Sequence, residues 1–315
     1  MSHPIERGRQ SGGKGQVVKE STVGTLLVLG AAAGFGTIGI FGKLAAAIDF
    51  GLPRLLPMRF GLATAAVIVL ARLRAWPVPR TPKDHATTFA LGVVYTGMTL
   101  CFFVSLRYLT AGLATIVLYT YPVLVVGLAV AFLRESLTRV KLLALLAVLL
   151  GVVLIVDADT AGVDPIGILL ALGAAGCYAL YTIGSRTLVA DIRPRALLLG
   201  VLIGATVSMT GYGLLSGRFG LPSGLEQWGI VLGLTAAGTV VPLLLFYEGV
   251  ARLDASRVGV VSTVEPLVTV TLGVALLGEP MTPSVVTGGL LVLGGVVLVQ
   301  GYRASNRGPG TIART

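Results

Sequence analysis

The chain is poor in nearly every residue type that a soluble protein uses to face water. Only 12% of its 315 residues are charged, and Asp and Glu together number 14. That is too little polar surface for a soluble domain of this length. Cysteine occurs twice, at Cys101 and Cys177, each inside an apolar stretch, so no disulfide framework is implied. Histidine also occurs twice, His3 in the N-terminal tail and His85 at the edge of a basic loop. There is no His-Glu-x-x-His spacing and no pair of aspartates inside an apolar run, which removes intramembrane enzymes and leaves no metal or cofactor to expect.

What the chain has in excess is apolar. Hydrophobic residues make up 55% and the mean hydropathy is +0.90. Crossing the ~30 Å hydrocarbon core takes about 20 apolar residues in a helix. Ten such runs occur, near 22–46, 54–71, 86–107, 111–133, 138–156, 165–187, 195–216, 227–251, 255–277 and 284–302. They are continuous rather than alternating, which argues against a β-barrel. The fold class predicted is an all-α integral membrane protein of ten transmembrane helices. Residues 1–21 and 303–315, rich in Gly, Ser and Arg, read as disordered tails.

A net charge of +10 would suit a nucleic-acid binder, but the placement of the charge excludes that partner. Of 24 Lys and Arg, 19 lie in the two tails or in alternate loops, among them Arg72, Arg74, Arg139, Arg193, Arg195 and Arg252. The other side carries Arg54, Arg107 and Arg218, with an acidic loop at Asp157, Asp159 and Asp164. This is the positive-inside pattern of a cell-membrane protein with both termini in the cytoplasm.

One block of sequence occurs twice. Residues 109–157 align without a gap on 253–301, with 18 of 49 positions identical, against roughly one in ten from composition alone. Leu109 falls on Leu253, Pro122 on Pro266, Glu135 on Glu279, and Thr138 on Thr282. The two halves are 22–157 and 165–302. Five helices per half is odd, so the second half enters the membrane upside down, giving two inverted repeats of the kind that surround a central site in secondary transporters.

The segment STVEPLVTVTLGVALLGEPMTPSVVTGGLLVLGGVVLV, with its counterpart VLYTYPVLVVGLAVAFLRESLT, resembles the EamA family of the drug/metabolite transporter superfamily, and the likeness runs from about 22 to 302. The resemblance implies a secondary transporter, often an exporter of amino acids or other small metabolites, with a cavity lined partly by the fourth and ninth helices. It marks Glu135 and Glu279 as signature positions.

Glu265, near the middle of the ninth run, is the most informative side chain. An acidic residue there costs about 2.5–3.5 kcal/mol on insertion scales. Ser262 and Thr269 fall at i−3 and i+4 and would share its face. Glu265 reads either as a proton-coupling or substrate-amine site, or as a hydrogen-bonded carboxyl that stitches helices together. Pro122 and Pro266 each free the carbonyl four residues back, at Leu118 and Ser262, and read as paired hinges or as packing kinks. Tyr95, Tyr121, Tyr178, Tyr181 and Tyr247 are candidates to line a cavity. Lys43 and Arg59 read either as cations that snorkel to the outer surface or as a cationic external gate that attracts a substrate carboxylate, Glu248 as an i,i+4 partner of Arg252, and Glu135 and Glu279 as structural carboxylates near a capping Thr. The expected partners are the bilayer, a small-molecule substrate and, through Glu265, protons. An uncoupled facilitator or exchanger, a drug exporter, and a non-transporting membrane sensor or assembly subunit remain open beside this reading.

Overall fold

The computed structural model describes residues 10–133, 138–156, 164–188, 192–253 and 255–306. The regular elements among them are α1 (Gln10–Phe35), α2 (Ile38–Ala47), α3 (Leu52–Leu73), α4 (Pro82–Ser105), α5 (Ala111–Leu118), α6 (Tyr121–Leu133), α7 (Arg139–Val156), α8 (Pro165–Thr187) and α9 (Pro194–Leu215). There follow α10 (Gly224–Thr235), a π-helical turn at Ala236–Val240, α11 (Val241–Val250), α12 (Ala255–Ser262), α13 (Val264–Leu277) and α14 (Pro283–Asn306). The pairs α1–α2, α5–α6, α10–α11 and α12–α13 are successive pieces of single crossings, so the helices make ten spans. Among the described residues nine are long and apolar enough to cross a membrane. The fifth span is α7, with 18 residues and a length of about 27 Å.

Local chemistry sets where the spans begin. Pro53, Pro82, Pro165 and Pro194 stand in the first turn of α3, α4, α8 and α9, where a missing N–H costs nothing. Thr81 and Asp84 form a capping box on α4, and Asp164 caps α8, satisfying donors that the first turn leaves free. Thr138 and Thr282 accept from the backbone N–H groups of Lys141 and Val285. The tails depart from expectation within the described residues: α1 starts at Gln10 and α14 runs to Asn306, so residues 10–21 and 303–306 continue their spans. No proline lies between Gln10 and Phe35, and extending a helix that a span has already nucleated fixes one bond per residue.

Large apolar side chains point away from the bundle. Leu142, Leu146, Leu149, Leu150 and Val153 form one exposed face of α7, as lipid contact requires. Between the spans, small residues permit close approach. A methyl at Gly151 would lie 2.6 Å from the Gly288 carbonyl oxygen, and one at Gly295 would lie 2.8 Å from that of Ala144. These two contacts are one contact seen twice, since 144 added to Ala144 gives Gly288 and added to Gly151 gives Gly295. The pairs run antiparallel, so a two-fold axis passes between α7 and α14 and relates the halves by inversion. The remaining packing obeys the same exchange. Span 3 packs on span 6 as span 8 packs on span 1, and spans 2–7, 4–9 and 5–10 meet on the axis.

Candidate functional site at the span interruptions

Four spans are interrupted, and the interruptions converge at mid-depth. Pro266 and Pro122 do not kink continuous helices; each stands at the start of a new one, α13 and α6, after a break at Thr263 and at Tyr119–Thr120. The two breaks occupy equivalent positions of the repeat, since Tyr119 aligns with Thr263. Span 1 breaks at Gly36–Thr37, where a methyl on Gly36 would lie 3.1 Å from the Glu265 carbonyl oxygen. Span 8 carries the π-turn ahead of Pro242, and a methyl on Gly34 would meet the Ala237 carbonyl oxygen at 2.8 Å. Broken helices at this depth expose polar backbone where protein or ligand can satisfy it.

Glu265 opens α13 and reaches across to the first half. The Tyr119 hydroxyl lies 2.8 Å from Glu265 Oε2 and 2.8 Å from the Ser262 carbonyl oxygen, the acceptor that Pro266 leaves without a helical donor. Tyr119 is 5% exposed. Ser262 thus enters through its backbone; its own hydroxyl donates to Val258 O. The Thr269 hydroxyl donates to the Glu265 carbonyl, and its side chain is buried 3.5 Å from where a methyl on Gly39 would stand. Neither hydroxyl touches the carboxyl. The break at Thr263 turns α12 relative to α13, so the stripe drawn for one continuous helix is not formed.

From this junction a chain of rings crosses the bundle. Ring centroids are 5.9 Å apart for Tyr119–Tyr121, 4.3 Å for Tyr121–Tyr178, 5.9 Å for Tyr178–Tyr181, 5.6 Å for Tyr181–Tyr95 and 6.1 Å for Tyr95–Phe60. The rings come from spans 2, 3, 4 and 6 and meet edge-on, tilted or stacked, so they face one another inside the bundle. Tyr95, Tyr121, Tyr178, Tyr181, Tyr247 and Glu265 are all half-buried. Tyr247 also lines a cleft of about 200 Å³ with Arg74, Trp76, Leu244, Leu245, Arg195 and Glu248. Glu248 pairs there with Arg252 at 2.9 Å, as the spacing predicts, and with Arg195 at 3.4 Å.

At the opposite end Asp49, Pro53, Arg54 and Arg107 of the first half and Tyr212, Ser216 and Arg218 of the second line a cleft of about 450 Å³. Pieces α2, α5 and α13 pack on one another there, and Glu279 ties them. Gly278, with φ of 63°, turns the chain after α13, and the Glu279 carboxylate accepts from the Ala111 N–H at 2.7 Å and the Gly112 N–H at 3.4 Å. These are free donors at the start of α5. Lys43, half-buried on α2, lies within Coulombic range of the same carboxylate. Glu135 lies outside the described residues.

Sequence reasoning missed one residue of the junction and misplaced another near it. Tyr119 was passed over for Tyr121, although it stands at the break itself. Arg59 does not snorkel: it is 2% exposed, and its Nε donates to Thr239 Oγ1 at 2.9 Å. Helix α3 starts at Leu52, ahead of the apolar run, which places Arg59 about 10 Å from the helix start. The π-turn of span 8 holds the Thr239 hydroxyl toward it. The signal available was Pro53, a first-turn residue that moves the helix start outward.

The EamA-like transporter family matches residues 22–157 and again 165–300. The chain is 28% identical over 272 residues to an uncharacterized transporter of Archaeoglobus fulgidus, covering 84% of this chain and 95% of the relative. It is 29% identical to the threonine/homoserine exporter RhtA of Escherichia coli K12, over 78% of this chain and 80% of that one. It is 31% identical to the uncharacterized transporter YojE of Bacillus subtilis, over 69% and 73%. A solved crystal structure superposes with a TM-score of 0.62 at 20% identity, covering 90% of this chain and 99% of that one, a likeness of fold. Two matched repeats spanning nearly the whole ten-span bundle, with relatives aligned across both halves, place this multi-pass membrane protein among small-molecule transporters rather than enzymes: the chain belongs to the EamA-like transporter family.

Proposed function

We propose that this transporter is a secondary active exporter of small metabolites such as amino acids, working by alternating access across the cytoplasmic membrane with both termini inside. The observation that carries this reading is the junction of Tyr119, Glu265 and the Ser262 carbonyl, formed where the equivalent spans of the two halves break. An ionisable group at that depth is retained for function in most membrane proteins. A break in each half at the same repeat position gives the halves matched points about which to rock. Glu279 ties α5 to α13 at one end of the bundle, and the cleft at Tyr247 opens at the end bearing Arg74 and Arg195; with basic loops inside, loading of an outgoing substrate from that cleft fits this reading.

The similarity to a threonine/homoserine exporter supports amino acids as cargo. Glu265 is the coupling residue, exchanging a proton with the compartment to which the cavity opens, and Pro122 and Pro266 are the flex points between half-spans. Tyr95, Tyr121 and Tyr181 give the cavity rings with polar tips, which suit a small ligand with a short apolar portion. The units that move are the repeats 22–157 and 165–302.

The test is uptake into proteoliposomes of a labelled panel of amino acids and related metabolites, with and without an imposed pH gradient. Saturable uptake accelerated by the gradient is expected. Saturable uptake indifferent to the gradient would remove the coupling assignment from Glu265, and absence of flux for the whole panel from folded protein would overturn the amino-acid reading.

A further inference from the structure

Arg59 is a cation buried about a third of the way along α3, without a counterion among the described residues. No carboxylate among the described residues lies within ion-pair distance of it; Arg195 and Arg252 pair with Glu248 at the end of the bundle. Its partners are the Thr239 hydroxyl, which has already given its own proton to the Leu234 carbonyl, and two rings. The guanidinium carbon stands 5.1 Å from the Phe60 centroid and 5.6 Å from that of Phe103. Such contacts return about 0.5–2 kcal/mol each, whereas a desolvated cation costs several. The four N–H groups on the two Nη nitrogens have no partner among the described residues, and neither nitrogen is among the buried atoms cut off from open space. A planar fork of free donors held by its Nε is shaped for a carboxylate.

Glu265 mirrors this state. It belongs to the other half of the molecule, takes its hydrogen bond from a neutral hydroxyl, and forms no ion pair with Arg59. Tyr95 lies within Coulombic range of both charges and packs on Phe60 on one side and Tyr181 on the other. Arg59 over Phe60 and Glu265 at Tyr119 thus stand at the two ends of one run of rings.

We infer that Arg59 is the carboxylate anchor of the substrate site, so that the cargo is a small α-amino acid with an uncharged side chain, read at its carboxylate by the free Nη donors of Arg59. This rests on the transport reading above and adds to it a chemical rule: compounds lacking the free carboxylate are rejected.

The experiment compares L-threonine with L-threoninamide, and L-tyrosine with L-tyrosinamide, as competitors and as labelled substrates in proteoliposomes. It uses wild-type protein, Arg59→Gln and Arg59→Lys, each checked for folding by its melting curve. Wild-type protein should prefer each acid over its amide by about tenfold or more, as expected for a charge-assisted bidentate contact. Arg59→Gln should lose that preference through a raised KM for the acid with little change for the amide, and Arg59→Lys should recover part of it. The wild-type comparison needs no variant, so a misfolded Arg59→Gln leaves it standing. Equal transport of acid and amide by wild-type protein, or a preference that survives in folded Arg59→Gln, overturns the anchor while leaving amino-acid transport in place. Transport of uncharged or purely cationic compounds with neither acid moved overturns the anchor and the amino-acid reading together.

Discussion

Replacing Tyr119 with Phe removes one oxygen and tests the central junction directly. The hydroxyl carries a single proton yet lies 2.8 Å from two acceptors, Glu265 Oε2 and the Ser262 carbonyl oxygen. A carbonyl can only accept. When Tyr119 donates to Ser262, its contact with Glu265 is a hydrogen bond only if the carboxyl holds the proton and donates it to the tyrosine oxygen. When Glu265 is ionised, the tyrosine proton serves the carboxylate, and the carbonyl freed by Pro266 loses its donor. Spans 4 and 9 are thus joined by two bonds in one protonation state and by one in the other. An unpaired buried acceptor costs about 1–3 kcal/mol in soluble proteins, while hydrogen bonds between membrane helices average about 0.6 kcal/mol with a maximum near 1.7. Tyr119→Phe should therefore destabilise the protein by about 1–2 kcal/mol, since the ring stays and only the hydroxyl goes. It should also flatten the dependence of transport on internal pH, because protonation of Glu265 would no longer change how many bonds join the spans. Denaturation in detergent measures the first effect and initial-rate flux at stepped pH the second. A variant with wild-type stability and a wild-type pH profile would refute the reasoning.

Glu265→Gln keeps a donor for the Tyr119 oxygen and imitates the protonated carboxyl, so it should fold normally and lose acceleration by a pH gradient; full gradient-driven flux in this variant would remove Glu265 from coupling. Glu279→Ala frees the Ala111 and Gly112 N–H groups at the start of α5 and should cost about 0.5–2 kcal/mol, the range of a lost cap. With Cys101 and Cys177 replaced, an Ala111→Cys reporter should then react faster with an impermeant thiol reagent added outside, and an unchanged rate would mean that Glu279 does not tie α5 to α13. Gly92→Ala would place a methyl 2.8 Å from the Ala205 nitrogen and the Gly204 Cα. Both belong to the backbone of α9, so α4 and α9 must separate, at about 1–3 kcal/mol of overpacking; an unchanged melting temperature would count against this packing.

The spans and the inverted repeat were legible because they rest on composition and on an ungapped alignment, both properties of the sequence alone. The position of Glu265 was legible for the same reason, since an acidic residue inside an apolar run needs no partner to be noticed. Its partner was not legible. Which side chain reaches Glu265 depends on the rotation of span 4 about its axis, and the break at Tyr119–Thr120 resets that rotation halfway along. Ser262 was misplaced by the converse error, because a 3.6-residue period was carried through Thr263, where the helix stops and restarts. Arg59 was misread from its distance to the edge of the apolar run. A first-turn proline extended the helix outward, and the Thr239 hydroxyl that receives the guanidinium sits 180 residues away in a π-turn that no periodicity announces.

The repeat makes the two breaks equivalent, but the residues in them do not treat the freed carbonyls alike. At the break in span 9 the Ser262 carbonyl takes a donor from the other half, the Tyr119 hydroxyl. Thr263 fills the tyrosine's place in the second repeat, and its hydroxyl turns back onto Val260 of its own helix, so it offers the Leu118 carbonyl nothing. Glu265 likewise aligns with Tyr121, leaving one carboxyl where perfect symmetry would give two or none. A carrier with identical halves would have inward-open and outward-open states of equal energy. Here the cross-bonds at span 9 belong to the arrangement observed, and their number depends on one proton at Glu265. Protonation therefore biases one state over the other by the worth of about one membrane hydrogen bond, roughly 0.6 kcal/mol or a factor of about three in population. A bias of that size shifts an equilibrium between states without locking either, which is what a cycling transporter requires.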